Sequence, residues 1–490
     1  MNGHADSSHT LSYEESLTLL GSDDDDEKTP SDIESDAGRA DLASRFPPSL
    51  PRRLRAVLLR TALFLLPSFL HPSASYHPAK LHATAYLDGI RGVAALVVFI
   101  CHLSYTCFVI APGYGYQDGH YHVLALPFVR LLYSGPPMVC LFFVVSGFAL
   151  SLKPLRLIRA RSAGEFSTTL SSLIFRRGIR LFLPCVVSTL MIVMLLRVGA
   201  YEWNREFAYD ETFARNVQEI HYERFDTAGE QLADWGWAMW KFVHVWDWDE
   251  YGGSTAMDVH LWTIPVEFRA SMVVFLVLMG LARARVGVRV GAVMGLGVFA
   301  YLSARWEVML FCCGVVLAER EAAGGCRGKK GMGAVWGAVS VVGMYLLSQP
   351  DVGGEETPGW VWLSEAIPEK WEENKHRHWQ AFGAMVFVWA VGRSSGWQRV
   401  FNSAVVQYFG RISYAIYLMH GPVMHTLGYT IEKWVWSITG TEGAAYYWGF
   451  ALACLLVVPT VVWVSDVFWR AVDAPVVKFS KWVEGKCCIP

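Results

Sequence analysis

Charge is scarce in this chain. Of its 490 residues only 18% are Asp, Glu, Lys or Arg, against about 25% in ordinary soluble domains. A large soluble core under a charged surface is therefore excluded. Repeated long apolar runs, with 53% hydrophobic and 14% aromatic residues, point instead to a polytopic membrane protein. Pattern is missing from the ten cysteines: they are scattered, mostly inside apolar runs, which excludes a disulfide framework and a zinc-ligand spacing. The first residues have neither a basic start nor an early apolar core, so they do not read as a signal peptide. The halves of the chain show no convincing similarity, which weighs against the internal repeats of many transporters.

What is present is segregated by charge. Residues 1–50 are polar and acidic around Asp23–Glu27, and such a stretch buries too little apolar area to fold alone, so a disordered cytosolic tail is expected. Glu15–Leu20 has the spacing of an acidic dileucine sorting signal. Residues 51–79 combine Arg52, Arg53, Arg55 and Arg60 with an apolar core too short to span, and read as an interfacial amphipathic helix and linker. Residues 80–478 form the membrane domain, and 479–490 a short cytosolic tail whose Cys487 and Cys488 read as unmodified.

Ten spanning segments are expected, near 88–110, 137–152, 179–198, 260–282, 286–303, 306–318, 332–348, 379–394, 404–430 and 445–468. The fold class is thus all-α and integral to the membrane. Every second loop is basic, among them Lys153 to Arg180 and Arg320 to Lys330. The long loops between are acidic: 199–258 carries thirteen acids against four bases, and 349–378 seven against three. By the positive-inside rule both termini are cytosolic and the two acidic loops lumenal or external, in an endomembrane or the plasma membrane. Neither acidic loop contains an Asn-x-Ser/Thr site.

The stretch Leu87–Ser104 opens on a charged, glycine-bearing edge and continues as an apolar helix interrupted by one ionisable residue, His102. Eleven residues separate it from Arg91, about three helical turns and roughly 16 Å, so the two share a face. Ionisable groups at membrane depth read as functional. By the same arithmetic Ser146 and Gly147 lie roughly 12 Å inside the second span, Glu267 about 10 Å below His260, and His420 about 13 Å above Arg411. Four spans thus bring a serine, a carboxylate and two histidines toward one layer.

Each residue also has a plainer role. His102 can bond a carbonyl in the core, Ser146–Gly147 can be a close helix contact, and Glu267 can pair with an arginine. His420 can cap groups freed by Gly421–Pro422, and Trp262 can belong to the interfacial belt. Arg177 and Arg180, three apart on one face, can simply set topology. Together, at matching depth, they favour a site. A histidine takes a proton from a hydroxyl when a carboxylate orients its other nitrogen, and Glu267 is the carboxylate at suitable depth. Arg91, Arg177 and Arg180 suit an anionic, phosphate-bearing cosubstrate. Phosphates at one end and a long arm reaching His102 describe acyl-coenzyme A, with a hydroxyl acceptor approaching from the other side. The competing reading is a transporter or flippase with a polar midplane site. No metal, permanent cofactor or nucleic acid is expected.

Several segments resemble the membrane acyltransferase 3 family: Leu87–Ala95 with His102, Phe143–Leu150, Arg176–Pro184, His260–Phe268, Ile412–His420 and Val472–Pro475. They occur in the family's order over about residues 80–478. The resemblance implies ten core helices and transfer of an acyl group, commonly acetyl from acetyl-coenzyme A, to hydroxyls of carbohydrates, lipids or secondary metabolites. It maps the R-x10-H pair onto Arg91 and His102, the R-x-x-R pair onto Arg177 and Arg180, and a Trp-Thr-x-x-x-Glu element onto Trp262, Thr263 and Glu267. Ser146, Trp262 and His420 are the expected acceptor contacts. Arg269 departs from the family pattern, and the long 199–258 loop with Trp235–Trp240 points to a fungal branch.

Overall fold

The computed structural model describes residues 52–70, 81–117, 119–246, 253–324 and 332–488. The acidic tail and its dileucine pattern lie outside them. Among the described residues there is no β-strand, only isolated bridges.

The principal helices are α1 (Arg52–Leu65), α2 (Tyr86–Tyr105), α3 (Gly135–Ala160), α4 (Ala163–Arg197), α5 (Ala228–Val243), α6 (Thr263–Gly280) and α7 (Val286–Leu302). They continue with α8 (Trp306–Ala322), α9 (Gly333–Leu347), α10 (His378–Val391), α11 (Ala404–Val423), α12 (Tyr429–Thr439), α13 (Ala444–Phe468) and α14 (Ala474–Cys487). Each of the ten segments expected to span coincides with a helix. Among the described residues five helical stretches are long and apolar enough to cross a membrane: Tyr86–Tyr105, Gly135–Ala160, Ala163–Arg197, Val259–Gly280 and Ala444–Cys487. The chain is therefore a membrane protein in its architecture.

Helices α3 and α4 overrun the expected spans 137–152 and 179–198, the first reaching Ala160 and the second starting at Ala163, and two further boundaries differ for a local reason. Helix α2 ends at Tyr105 rather than near 110 because other groups take its last carbonyls. Thr106 Oγ1 donates to Leu103 O at 3.1 Å and Asn216 Nδ2 to Tyr105 O at 2.7 Å. His102 consequently sits in the last turn of α2, not at its middle. The ninth segment does not stop at 430. Past Pro422, which has no N–H to donate, a π turn over Met424–Gly428 joins α11 to α12 and carries the helix on to Thr439.

Small residues set the closest helix crossings. A Cβ at Gly92 would stand 2.3 Å from Gly410 N, and one at Gly147 2.4 Å from Phe311 O. These contacts bring α2 against α11 and α3 against α8, as backbone approach requires where apolar burial alone cannot hold helices together.

The bundle has two distinct ends. At the loop face, the described residues of 106–134, 199–258 and 349–378 meet: Asn216 N donates to Thr106 O and Asp351 N to Ala111 O, both at 3.0 Å. The opposite, arginine face carries Arg91, Arg177 and Arg180 and both ends of the described chain. There Asp466 on α13 accepts from Ser68 N at 2.9 Å and Ser68 Oγ at 2.6 Å. Arg470 donates to the carbonyls of Phe64 (2.7 Å) and Leu66 (3.0 Å). The expected interfacial segment is thus a helix docked at its C-terminal end, with Val57, Leu58, Phe64 and Leu65 exposed.

Candidate active site

Four elements converge near the loop face. Helix α2 supplies His102 and Tyr105, α11 supplies His420, the π turn supplies His425, and a tight turn before α6 supplies His260. That turn forms because Asp258 caps it: Asp258 Oδ1 accepts from His260 N at 3.1 Å and from His260 Nδ1 at 2.8 Å. The π turn matters similarly, since the wider turn carries His425 round to the side already occupied by His420.

The rings of His102 and His260 lie 4.1 Å apart between centroids, His260 and His420 4.6 Å, and His102 and His420 5.2 Å. A fifth element, the long acidic loop, contributes Glu219. Glu219 Oε1 accepts from His260 Nε2 at 3.0 Å and from Tyr105 Oη. His102 Nδ1 stands 3.6 Å from the same oxygen, just beyond hydrogen-bond length. His425 Nε2 is 3.1 Å from Glu219 Oε2, an ion-pair distance with its N–H off the hydrogen-bond line. Behind it His425 Nδ1 and His221 Nδ1 are 2.9 Å apart, and His221 Nε2 donates to Tyr201 O at 2.8 Å.

Burial works against ionising Glu219, yet the surrounding histidines outweigh it and hold its carboxyl well below the usual range. Burial, together with the neighbouring His425, brings the His221 imidazole down to about 4.

Partners assign the tautomers. His260 faces a carboxylate oxygen at each nitrogen, so both of its nitrogens donate. His420 Nδ1 donates to Ile416 O at 3.1 Å, which leaves Nε2 a buried acceptor with no partner. His102 turns Nδ1 toward Glu219 and keeps Nε2 as a lone pair. Its side chain is 25% exposed where those of His260 and Glu219 are 2% and 1%, so His102 is the accessible base of the cluster. Nitrogens of His102, His260 and His420 all lie within 4.8 Å of one another, the spacing of a possible metal site. With both His260 nitrogens engaged by carboxylates, only two imidazoles have a lone pair to offer, so a metal would have to displace Asp258 or Glu219.

Glu267 does not join His102. It lies two turns further along α6, where Glu267 Oε1 accepts from Arg177 Nη2 at 2.7 Å and from Ser146 Oγ at 3.0 Å. Arg177 Nε reaches Ser271 Oγ at 3.1 Å. Arg91, Arg177 and Arg180 are within electrostatic reach of one another, with Asp473 beside Arg91 and Arg180. The layer read as one is therefore two: histidines around Glu219 near the loop face, and arginines around Glu267 nearer the opposite face. Trp262 is taken up by Arg377, whose guanidinium lies 4.8 Å from its ring and 4.5 Å from that of Trp306.

Glu219, Asp258, His221 and His425 were not expected from the sequence. Asp258, two residues before His260, was a readable capping signal. Glu219 had none: it is one acid among thirteen in its loop.

Residues 84–470 match the family described as acyltransferase domain. The O-acetyltransferase PaAT-1 of Phomopsis amygdali is 30% identical over 451 residues, covering 84% of this chain and 87% of that protein. Acyltransferase R4 of a Phoma species is 24% identical, over 81% and 95% of the two chains. Acyltransferase clz18 of Cochliobolus lunatus is 25% identical, over 82% and 96%. No solved structure matches.

Proposed function

Since the chain belongs to the acyltransferase-domain family and is an acyltransferase, we propose that it moves an acetyl group from acetyl-coenzyme A to a hydroxyl of a carbohydrate, lipid or secondary metabolite. The printed activity of the Phomopsis relative, O-acetyl transfer, supports the oxygen acceptor. Enzyme membership leaves the transporter reading without support. In this proposal ten helices cross the bilayer, both termini are cytosolic, and the loop face is lumenal or external.

One observation carries the mechanism: His102 is the accessible imidazole of the cluster, backed by Glu219 and about 16 Å along α2 from Arg91. Arg91, Arg177 and Arg180 take the phosphates of the donor, and its pantetheine arm rises to His102. His102 Nε2 removes the proton of the acceptor hydroxyl as the oxygen attacks the thioester carbon. Glu219 stabilises the imidazolium through Nδ1–H. The carbon–sulfur bond then breaks, and the leaving thiolate takes the proton from Nε2, which balances the reaction. In this reading the unpartnered His420 Nε2 accepts from the acceptor molecule once it enters the cluster, and Ser146 with Glu267 sets the position of Arg177.

Purified wild type and His102→Ala are compared for acceptor-dependent release of free coenzyme A thiol from acetyl-coenzyme A. Loss of release in a folded His102→Ala is expected. Equal release by both would remove His102 from the mechanism.

A further inference from the structure

The acidic loop contains a helix that does not behave as part of a water-filled loop. Helix α5 starts at the loop face, where Thr227 and Glu230 form a reciprocal cap and Arg197 Nη1, at the end of α4, donates to Phe225 O at 2.7 Å. From there α5 runs antiparallel to α4 toward the other face. Trp235 Nε1 donates to Thr189 Oγ1 at 3.0 Å, Met239 Sδ meets the same hydroxyl at 3.3 Å, and Phe242 packs on Phe182 at 5.6 Å between centroids. Arg197 and Phe182 are fifteen residues apart on α4, about 22 Å along its axis. The intervening α4 sequence, Leu181–Leu196, holds no charged residue and belongs to a stretch apolar enough to cross a membrane. Helix α5 therefore descends along the spanning part of α4.

Its free side fits hydrocarbon rather than water. Gln231, Met239 and Phe242 are buried against the protein. The opposite side presents Leu232, Trp237, Trp240 and Val243, each more than 40% exposed, where a water-facing helix would be polar. The one cation on that side, Lys241, turns back over the Trp237 ring at 5.6 Å. Helical side chains lean toward the N-terminus, so the ammonium is carried up toward the loop face, as a lysine does when it reaches for an interface. At sixteen residues α5 is about 24 Å long, short of the roughly 30 Å needed to cross. On the approach to α6, Ser254, Thr255, Met257 and Asp258 are enclosed in protein, as irregular backbone at membrane depth must be.

We propose that α5 is a re-entrant membrane helix whose Leu232–Trp237–Trp240–Val243 side contacts lipid chains of the leaflet at the loop face. Its surface is continuous with the exposed apolar side of α4, where Met194 is 56% exposed. Behind this wall, Met239 and Phe242 belong to the same buried core as Leu261 and Met419, the chain neighbours of His260 and His420.

The test is a nitroxide placed by cysteine substitution in the full chain, with Cys326, Cys487 and Cys488 changed to Ser, in phosphatidylcholine vesicles. Leu232→Cys, Trp240→Cys and Val243→Cys are compared with Glu211→Cys in the exposed loop. Dissolved oxygen should relax the Trp240 and Val243 labels while a water-soluble nickel chelate does not, and the label depth should increase from Leu232 to Val243. Glu211→Cys should show the reverse preference. Nickel access at Trp240 equal to that at Glu211 would overturn the proposal, as would exclusion of both reagents, which would mean a protein partner. No readout here depends on catalysis, so failure of the acetyl-transfer proposal would be separately visible.

Discussion

Glu219 Oε1 receives the Nε2–H of His260 at 3.0 Å while the Nδ1 of His102 waits 3.6 Å from the same oxygen. One carboxylate thus serves a doubly engaged histidine and an accessible one. The first contact holds the carboxylate still, and the second is free to shorten as His102 gains a proton, a tightening common between resting and reacting geometries.

Replacing Glu219 by Gln removes the charge and keeps the shape. Turnover should fall about 10²-fold, in line with loss of a charged partner from a catalytic histidine, while KM for acetyl-coenzyme A changes little because the arginines are untouched. Unchanged turnover would show that His102 needs no carboxylate. A pH signature accompanies it. A carboxyl whose folded pKa is depressed adds stability that is fully present above its unfolded value of about 4.3 and is lost as pH falls through the folded value. The thermal midpoint of wild type should therefore exceed that of Glu219→Gln at neutral pH, and the gap should narrow on strong acidification.

Glu267 tests the division into two layers. Arg177 is nearly fully enclosed and Glu267 is its counter-charge at 2.7 Å. Neutralising one partner of such a pair leaves an unmatched buried charge, a loss of roughly 3–5 kcal/mol when the pair is fully buried; with Glu267 one-fifth exposed, solvent reduces it. Glu267→Gln should therefore lower the thermal midpoint and shift KM for acetyl-coenzyme A through a displaced Arg177, with a smaller effect on turnover than Glu219→Gln. If Glu267→Gln instead lowered turnover alone, with donor KM and midpoint intact, Glu267 would be acting at the histidines.

Much of the helical layout was legible because hydrophobic run length is a local property, as for Gly135–Ala160 or Val286–Leu302. Arg91 and His102 were legible for the same reason: three turns of one helix fix their relation. The carboxylate of His102 was not. Glu219 is 117 positions away in sequence, in a loop whose path is set by contacts such as Asn216 with Tyr105 and Phe108, and no periodicity encodes those. Depth counted along single helices also misplaced Glu267. Its two-turn offset from His260 is correct along α6, but His260 itself sits at the level of His102, so Glu267 falls to the level of Arg177.

The docking of α1 offers a last test, away from the reaction. Asp466 is fully enclosed and gathers Ser68 N, Ser68 Oγ and the guanidinium of Arg470, which lies 2.8 Å away. Arg470 in turn caps the carbonyls of Phe64 and Leu66, and Trp463 Nε1 donates to Leu65 O at 2.6 Å. These are C-terminal carbonyls that α1 cannot satisfy itself. Asp466→Ala takes away the acceptor for Ser68 and leaves Arg470 as a buried charge without its partner, a change of roughly 3–5 kcal/mol against the docked state. The arm should then detach, and trypsin should cut at the exposed Arg60 many times faster in Asp466→Ala than in wild type. The histidine cluster, at the other end of the bundle, should keep its turnover. Equal cleavage rates would mean that α1 is held by its apolar contacts alone. A parallel loss of turnover would mean instead that the Asp466–Arg470 pair supports the whole bundle rather than the arm.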